Sequence, residues 1–360
     1  MWSKYQMEKT SNQRPDIDLT EQARVALIRT TIRHRSDELK QAYPWLEHQN
    51  IIGMTILIFS VLGIVATAGL YFIGLVSAWV CIPIVAIFTS LLHELEHDLI
   101  HKQYFKHNAF VHNLMLLIVW IFRPGTINPW IRRKLHFLHH KTSGTPADIE
   151  ERGIGNGRHI GLMRLFIMMD TFVGNILNAL INGPKGARGI HILKIIIVNA
   201  PFAILCAITW YGFLVFHVMN SIGEWAWSAQ TLNVMNYVDN LVVVLIAPFY
   251  LRSFCLNFIS SNMHYYGDVK TLSQQTQVLN AWFLLPFQLF CFNFGSTHGI
   301  HHFVVGQPFY LRQLTAPAAH RVMRTQGIRF NDLGTFWRAN RFQLTPQPSF
   351  MKSKIERPLS

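Results

Sequence analysis

The chain has 360 residues, of which 50% are hydrophobic and only 14% charged, against roughly 25% charge in ordinary soluble domains, so composition excludes that class and indicates a membrane protein. Its net charge of +13 does not indicate nucleic acid, because the basic residues stand in three blocks, 1–50, 102–194 and 252–360, with none in 51–101 or 195–251. Blocks that all face the cytoplasm satisfy the positive-inside rule and set a basic surface against anionic lipid.

Residues 18–43 read as a surface helix: Asp18 and Glu21 form a capping box, Ala23, Val25, Leu27, Ile28 and Ile32 supply an apolar repeat, and Pro44 ends it. The opening residues are polar, with no short apolar core behind a basic start, so no cleaved secretory signal is expected. Residues 51–92 then run without a charge, twice the ~20 residues that one crossing needs. Two spans with a tight turn near Gly69 to Gly74 bring the chain back to its starting side. The segment 102–194 is mostly polar and basic, apart from the short apolar run Leu114 to Phe122, expected in the interface, and a polar Gly-rich loop from Asp148 to Gly157. Ile195 to Gly223 suits a third span, with Trp225 and Trp227 at the far headgroup layer, and roughly Asn240 to Ser260 a fourth. Leu279 to Phe294 is apolar but interrupted by Pro286, and a crossing there would strand the tail's basic residues on the far side, so it is expected to be interfacial or re-entrant. Pro346, Pro348 and Pro358 mark a frayed end.

The expected architecture is an all-α membrane protein, four transmembrane helices with a cytoplasmic helical cap, in three parts: a cytoplasmic segment 1–50, a membrane domain 51–310 and a cytoplasmic tail 311–360. Both termini are expected in the cytoplasm.

Histidine is distributed unlike any other residue. His93, His97 and His101 recur every four residues, so one helical face carries all three. His136, His139, His140 and His298, His301, His302 repeat one pattern, H-x-x-H-H, and a lone His264 follows the fourth span. Four crossings place every one of these clusters at the same membrane face. Ten candidate ligands exceed the four to six positions that one metal accepts, so two metals are implied. The acidic residues near the clusters, Glu94, Glu96, Asp98, Asp148, Glu150, Glu151 and Asp268, are candidates to hold the imidazole N–H groups, foremost Asp98 and Asp268. The cysteines, Cys81, Cys206, Cys255 and Cys291, are scattered and give no disulfide framework, zinc ribbon or rubredoxin-type iron site.

Two spans, a histidine box, H-x-x-H-H, two more spans and a second H-x-x-H-H resemble the integral-membrane fatty acid desaturase and hydroxylase superfamily over about residues 50–310. The resemblance implies a non-haem di-iron centre held by histidine, which activates O2 and abstracts hydrogen from an unactivated C–H bond of a lipid chain. His97-Asp98-Leu99-Ile100-His101 followed by Phe105 resembles the H-D-x-x-H box of bacterial desaturases, and His93-Glu94-Leu95-Glu96-His97 the H-E-x-x-H form; the pair His97 and His101 is preferred, with His93 a third ligand or a supporting residue. The segment around His264 resembles the E-H-Y-G box of alkane hydroxylases, but Ser260 stands where an Asn is common, and the nearest is Asn262. Desaturation of a fatty acyl chain is the expected reaction, with hydroxylation as the alternative. Electrons must come from an external ferredoxin- or cytochrome-like protein, for which the basic face around Arg132, Arg133 and Lys134 is a docking candidate.

Two rivals use the same residues. His93-Glu94-x-x-His97 is also the zinc-protease motif with Glu94 as general base, but that leaves both H-x-x-H-H copies unexplained. A metal transporter would place its site near the bilayer midplane, whereas these histidines gather at span ends.

Overall fold

A computed structural model describes residues 20–344. Asp18 and the three prolines of the expected frayed end lie outside the described residues. The first helix, α1 (Glu21–Ala42), begins at Thr20, whose hydroxyl accepts from the Ala23 N–H at 3.3 Å. Its Ile28 and Ile32 are buried against Ala316, Ala319 and Met323 near the other end of the chain.

The long uncharged run folds as the hairpin α2 (Gln49–Phe72) and α3 (Ala78–Ile100). Gly74 makes the turn at φ +76°, left-handed backbone that costs glycine nothing. After it comes α4 (Ala109–Ile121), whose 13 residues reach only ~20 Å. Phe110, Leu114, Leu117 and Ile121 form an exposed apolar stripe along it, as suits a helix lying in the interface.

Five helices follow: α5 (Pro129–Thr142), α6 (Ile149–Gly153), α7 (Leu162–Met169), α8 (Thr171–Asn182) and α9 (Arg188–Asn199). Here the structure departs from the polar reading of 102–194. The paired helices α8 and α9 turn Leu177, Leu180, Ile181, Ile190, Leu193 and Ile197 outward. These recur at helical spacing among Asn, Gly, Lys and Arg, so the average over the segment hides two apolar faces.

The third uncharged run is divided at Pro201, and the span proper is α10 (Phe202–Ile222). The fourth is longer than expected: α11 (Ala229–Leu241), a π-helical turn at Val242–Ile246 and α12 (Ala247–Met263) form one 35-residue helix. Leu279 to Phe294 contains only a 3-10 turn and the five-residue α13 (Leu285–Leu289), with Trp282 and Leu285 exposed, so nothing there crosses. Then come α14 (Phe294–Phe303) and α15 (Phe309–Thr325). No strand occurs among the described residues.

Among the described residues, four helices are therefore long and apolar enough to cross a membrane, and they are not equivalent. In α3 and the 229–263 helix 50% and 61% of the most apolar window is buried, against 28% in α2 and 17% in α10. The first two are the inner spans. Their C-terminal ends meet α5, α14 and α15 at one end of the bundle, and every residue from Leu92 to Ile100 is buried there.

Candidate metal centre

Four elements deliver the histidines. The last turn of α3 carries His97, with His101 as its C-cap, and α12 ends on His264. The helix α5 is started by Asn128, whose side chain accepts from the Trp130 and Ile131 N–H groups, with Pro129 at its first position; it carries His136, His139 and His140. The ten-residue α14 is buried throughout and carries His298, His301 and His302. Its close fit requires Gly295, where a Cβ would stand 2.8 Å from Ile259 Cγ2 and 3.0 Å from the Leu279 carbonyl.

The imidazoles converge in two sets. His97, His101, His136 and His301 form one, and His139, His264, His298 and His302 the other; in each, the donor atoms lie within 4.8 Å of one another. His140 stands beside the first set, its Nε2 3.2 Å from that of His136 and 3.0 Å from that of His301, and its ring centroid is 5.4 Å from that of His302 in the second. His93 joins neither. Its Nδ1 faces Arg123 at 3.1 Å and its ring packs toward Phe294.

What lies behind the rings decides where their protons sit. His136 Nδ1 is 2.8 Å from Glu150, His139 Nδ1 2.8 Å from Asp148, and His264 Nδ1 3.2 Å from Glu151 and 2.8 Å from the Ser260 carbonyl. His302 Nδ1 is 3.1 Å from Gln275 Oε1. All of these are acceptors, so each Nδ1 carries a proton and each Nε2 is the nitrogen turned inward; in a neutral ring that Nε2 presents a lone pair. The Nε2 atoms of His264 and His302 nevertheless face each other at 3.2 Å. Two lone pairs held that close repel, and a cation between them removes the conflict. Nitrogens ~2.1 Å from one ion stand ~3 Å apart at right angles, the spacing seen here. His139 Nε2, His298 Nδ1, His301 Nδ1 and both nitrogens of His97 are buried without a partner, which completes the case that these residues fit metal ions.

The titration behaviour agrees. Burial, then the neighbouring groups His136 and Arg312, push His101 down to about 2, and burial with His136 and His139 does the same to His140. Burial also holds His136, His298, His301 and His302 well below the usual imidazole range. Neutral imidazole is the form that binds metal. His139 goes the other way: burial opposes its charged form, but the hydrogen bond to Asp148 and that carboxylate's charge outweigh it and raise the ring to about 9.

The carboxylates hold further residues in turn. Glu150 accepts from Arg132 at 3.3 Å, and Arg132 and Arg123 both pair with the buried Glu96. The two residues put foremost for orienting imidazoles, and Asn262 with them, have other partners. Asp98 accepts from Tyr104, from the Phe309 N–H and from Arg312 and lies 3.8 Å from His97 Nδ1, so it ties α3 to α15. Asp268 accepts from the Phe342 and Gln343 N–H groups, and Asn262 donates to the Phe258 carbonyl. Gln275 and Arg123 drew no notice in the sequence, because neither lies near a histidine along the chain. Ser260, in the place where Asn is common, bonds Glu151 at 3.0 Å while its carbonyl holds His264.

A polytopic helical membrane protein with two adjacent four-histidine sets at one end of its inner spans is the class that fold and site define. Residues 73–334 match the sequence profile of the fatty acid desaturase family, and the chain belongs to that family. No curated protein matches it.

Proposed function

We propose that this chain is a di-iron oxidoreductase that introduces a double bond into a fatty acyl chain using O2 and electrons from an external carrier. The observation that carries the reading is the pair of four-histidine sets, with buried, partnerless ring nitrogens in each, in a member of the desaturase family. One set would be His97, His101, His136 and His301, the other His139, His264, His298 and His302, with His140 between them. Bound irons would supply the reductive activation of O2 and the removal of hydrogen from an unactivated C–H bond.

The chain's own residues hold His101, His136, His140, His298, His301 and His302 neutral, brace His136, His139, His264 and His302 from behind at Nδ1, and keep bulk water from most of the site. Desaturation balances when O2 takes two electrons from the acyl chain and two from the carrier, and leaves as two waters with two protons from substrate and two from solvent. In this reading the histidine end of the bundle and both termini face the cytoplasm, from which an acidic ferredoxin- or cytochrome-like donor delivers electrons; of the three expected docking residues only Lys134 is exposed, because Arg132 pairs with Glu96 and Glu150 and Arg133 bonds the Leu99 and Ile100 carbonyls.

A zinc-protease reading needs His93 and His97 on one ion, and His93 is instead held by Arg123. The test is expression in a host of known lipid profile, followed by mass spectrometry of its fatty acids. A product lighter by two hydrogens supports desaturation, one heavier by an oxygen shows hydroxylation, and an unchanged lipid profile with iron and a reducing partner present overturns the reading.

A further inference from the structure

The hairpin of α8 and α9 stands where the third span enters the bilayer. Only Ala200 and Pro201 separate α9 from α10. The Asn128 N–H donates to the Val198 carbonyl at 3.2 Å, which ties the end of α9 to the start of α5 and so to the histidine end of the bundle. Leu177, Leu180, Ile181, Ile190, Leu193 and Ile197 are all exposed along the hairpin. Apolar surface of that extent is costly against water and suits a hairpin laid in the headgroup layer.

Its charge is one-sided. Between Asp170 and Glu224 the sequence holds no acidic residue, while Lys185, Arg188 and Lys194 all fall in the turn and α9. Lys194 lies four residues after Ile190 and three before Ile197, inside the apolar stripe itself. A lysine so placed lays its stem on apolar surface and reaches with its ammonium for the headgroups. A cleft of about 230 Å³ opens here, lined by Lys194 and His191 from α9 and by Asn178 and Asn182 from α8. The Asn182 amide donates to Asn178 Oδ1 at 3.0 Å, so the two form one polar wall. No carboxylate is among the described residues that line the cleft. No side chain caps the first turn of the 12-residue α9, whose free N–H groups add positive potential.

We propose that this cleft seats the phosphate head of an anionic phospholipid of the bilayer, as a bound lipid and not as the molecule that is oxidised, with its acyl chains along the outward faces of α8 and α9. The cleft shares no residue with either histidine set, and the proposal rests on the membrane crossing alone, not on the oxidative reading above. An acidic protein would match the cations but not the apolar residues around them. A phospholipid matches both.

Native mass spectrometry of the full chain released from neutral maltoside micelles tests this, with dioleoyl phosphatidylglycerol and dioleoyl phosphatidylcholine titrated separately. The two lipids share their acyl chains and a phosphate and differ in net charge. Phosphatidylglycerol should bind ~5-fold or more tightly, K194Q should weaken it ~5-fold and leave phosphatidylcholine as before, and N182K, which adds a cation to the same wall, should strengthen it by about as much. K134Q, on α5, should change neither lipid. The opposite signs guard against a misfolded variant, and N182K decides alone if K194Q does not fold. Equal binding of the two lipids, affinities unmoved in K194Q and N182K, or displacement of phosphatidylglycerol by inorganic phosphate at equal concentration overturns the proposal. So does a dimer in the same spectra that K194Q dissolves, which would make the cleft a contact between copies of the chain.

Discussion

The two histidine sets are built from the same side chain but placed in different surroundings. The set of His139, His264, His298 and His302 is wholly buried. Three of its four rings are held from behind, by Asp148, Glu151 and Gln275. The set of His97, His101, His136 and His301 has one such carboxylate, Glu150 on His136, and reaches a surface cavity through the half-buried His101. One set is closed and braced and the other open and lightly braced. Acceptors behind a ring fix its tautomer and raise its strength as a ligand, so metal ions bound at the two sets would be held more firmly by the closed one and would exchange more readily at the open one.

The largest effect that can break this comparison comes from removing a ligand. His139→Ala in the closed set and His301→Ala in the open set should each reduce product formation to background and lower bound metal, with membrane insertion intact; metal analysis beside product analysis checks both. Next is Asp148→Asn, which leaves His139 in place but takes away its carboxylate partner. A loss of ~10–100-fold in metal affinity is expected, and competition with a calibrated chelator measures it. The same chelator, applied to the unaltered protein, should remove metal in two phases, the faster belonging to the open set and faster still in His101→Asn, which loses an imidazole ligand; a single phase would erase the distinction.

A smaller effect concerns protons in the metal-stripped chain. His101 and His140, pushed down to about 2 in the folded state, stay neutral where the unfolded chain takes up protons near pH 6.5. The unfolded state then binds more protons, so stability should fall as pH drops below ~6.5 and keep falling toward ~2. Thermal unfolding across that range would show it. The smallest expected effect is on metal content in His93→Ala. This variant loses the contact with Arg123, at about 1–3 kcal/mol for a group left unpaired in the interior, but should load as much metal as the unaltered chain.

Much of this was readable in the residues. The first three spans follow from charge-free runs and the fourth from an apolar stretch that carries only Asp239 and Arg252, and each histidine box follows from i, i+3, i+4 and i+8 spacing, because these are local patterns repeated along one helix. His97 and His101, the preferred pair, lie in one set, and His93 lies apart. The orienting carboxylates were not separable beforehand. Asp148, Glu150 and Glu151 stood among seven acidic candidates, and which of them meets a ring depends on how the short α6 docks against α5 and α12. Asp98 sits between His97 and His101 in sequence yet points to Arg312 and Tyr104, since neighbours one residue apart on a helix face different ways. The outward apolar faces of α8 and α9 were lost in a regional average. The π-helical turn inside the fourth span has no counterpart in the apolar pattern of the sequence.

The central claim is that residues far apart in the chain hold two metal ions side by side. X-ray absorption at the iron edge on protein purified from membranes, normalised to iron per chain, addresses it most directly. The account predicts two irons per chain in a shell dominated by imidazole nitrogen, with a second iron visible as a near neighbour. Active protein that contains one zinc, or no iron at all, would contradict it.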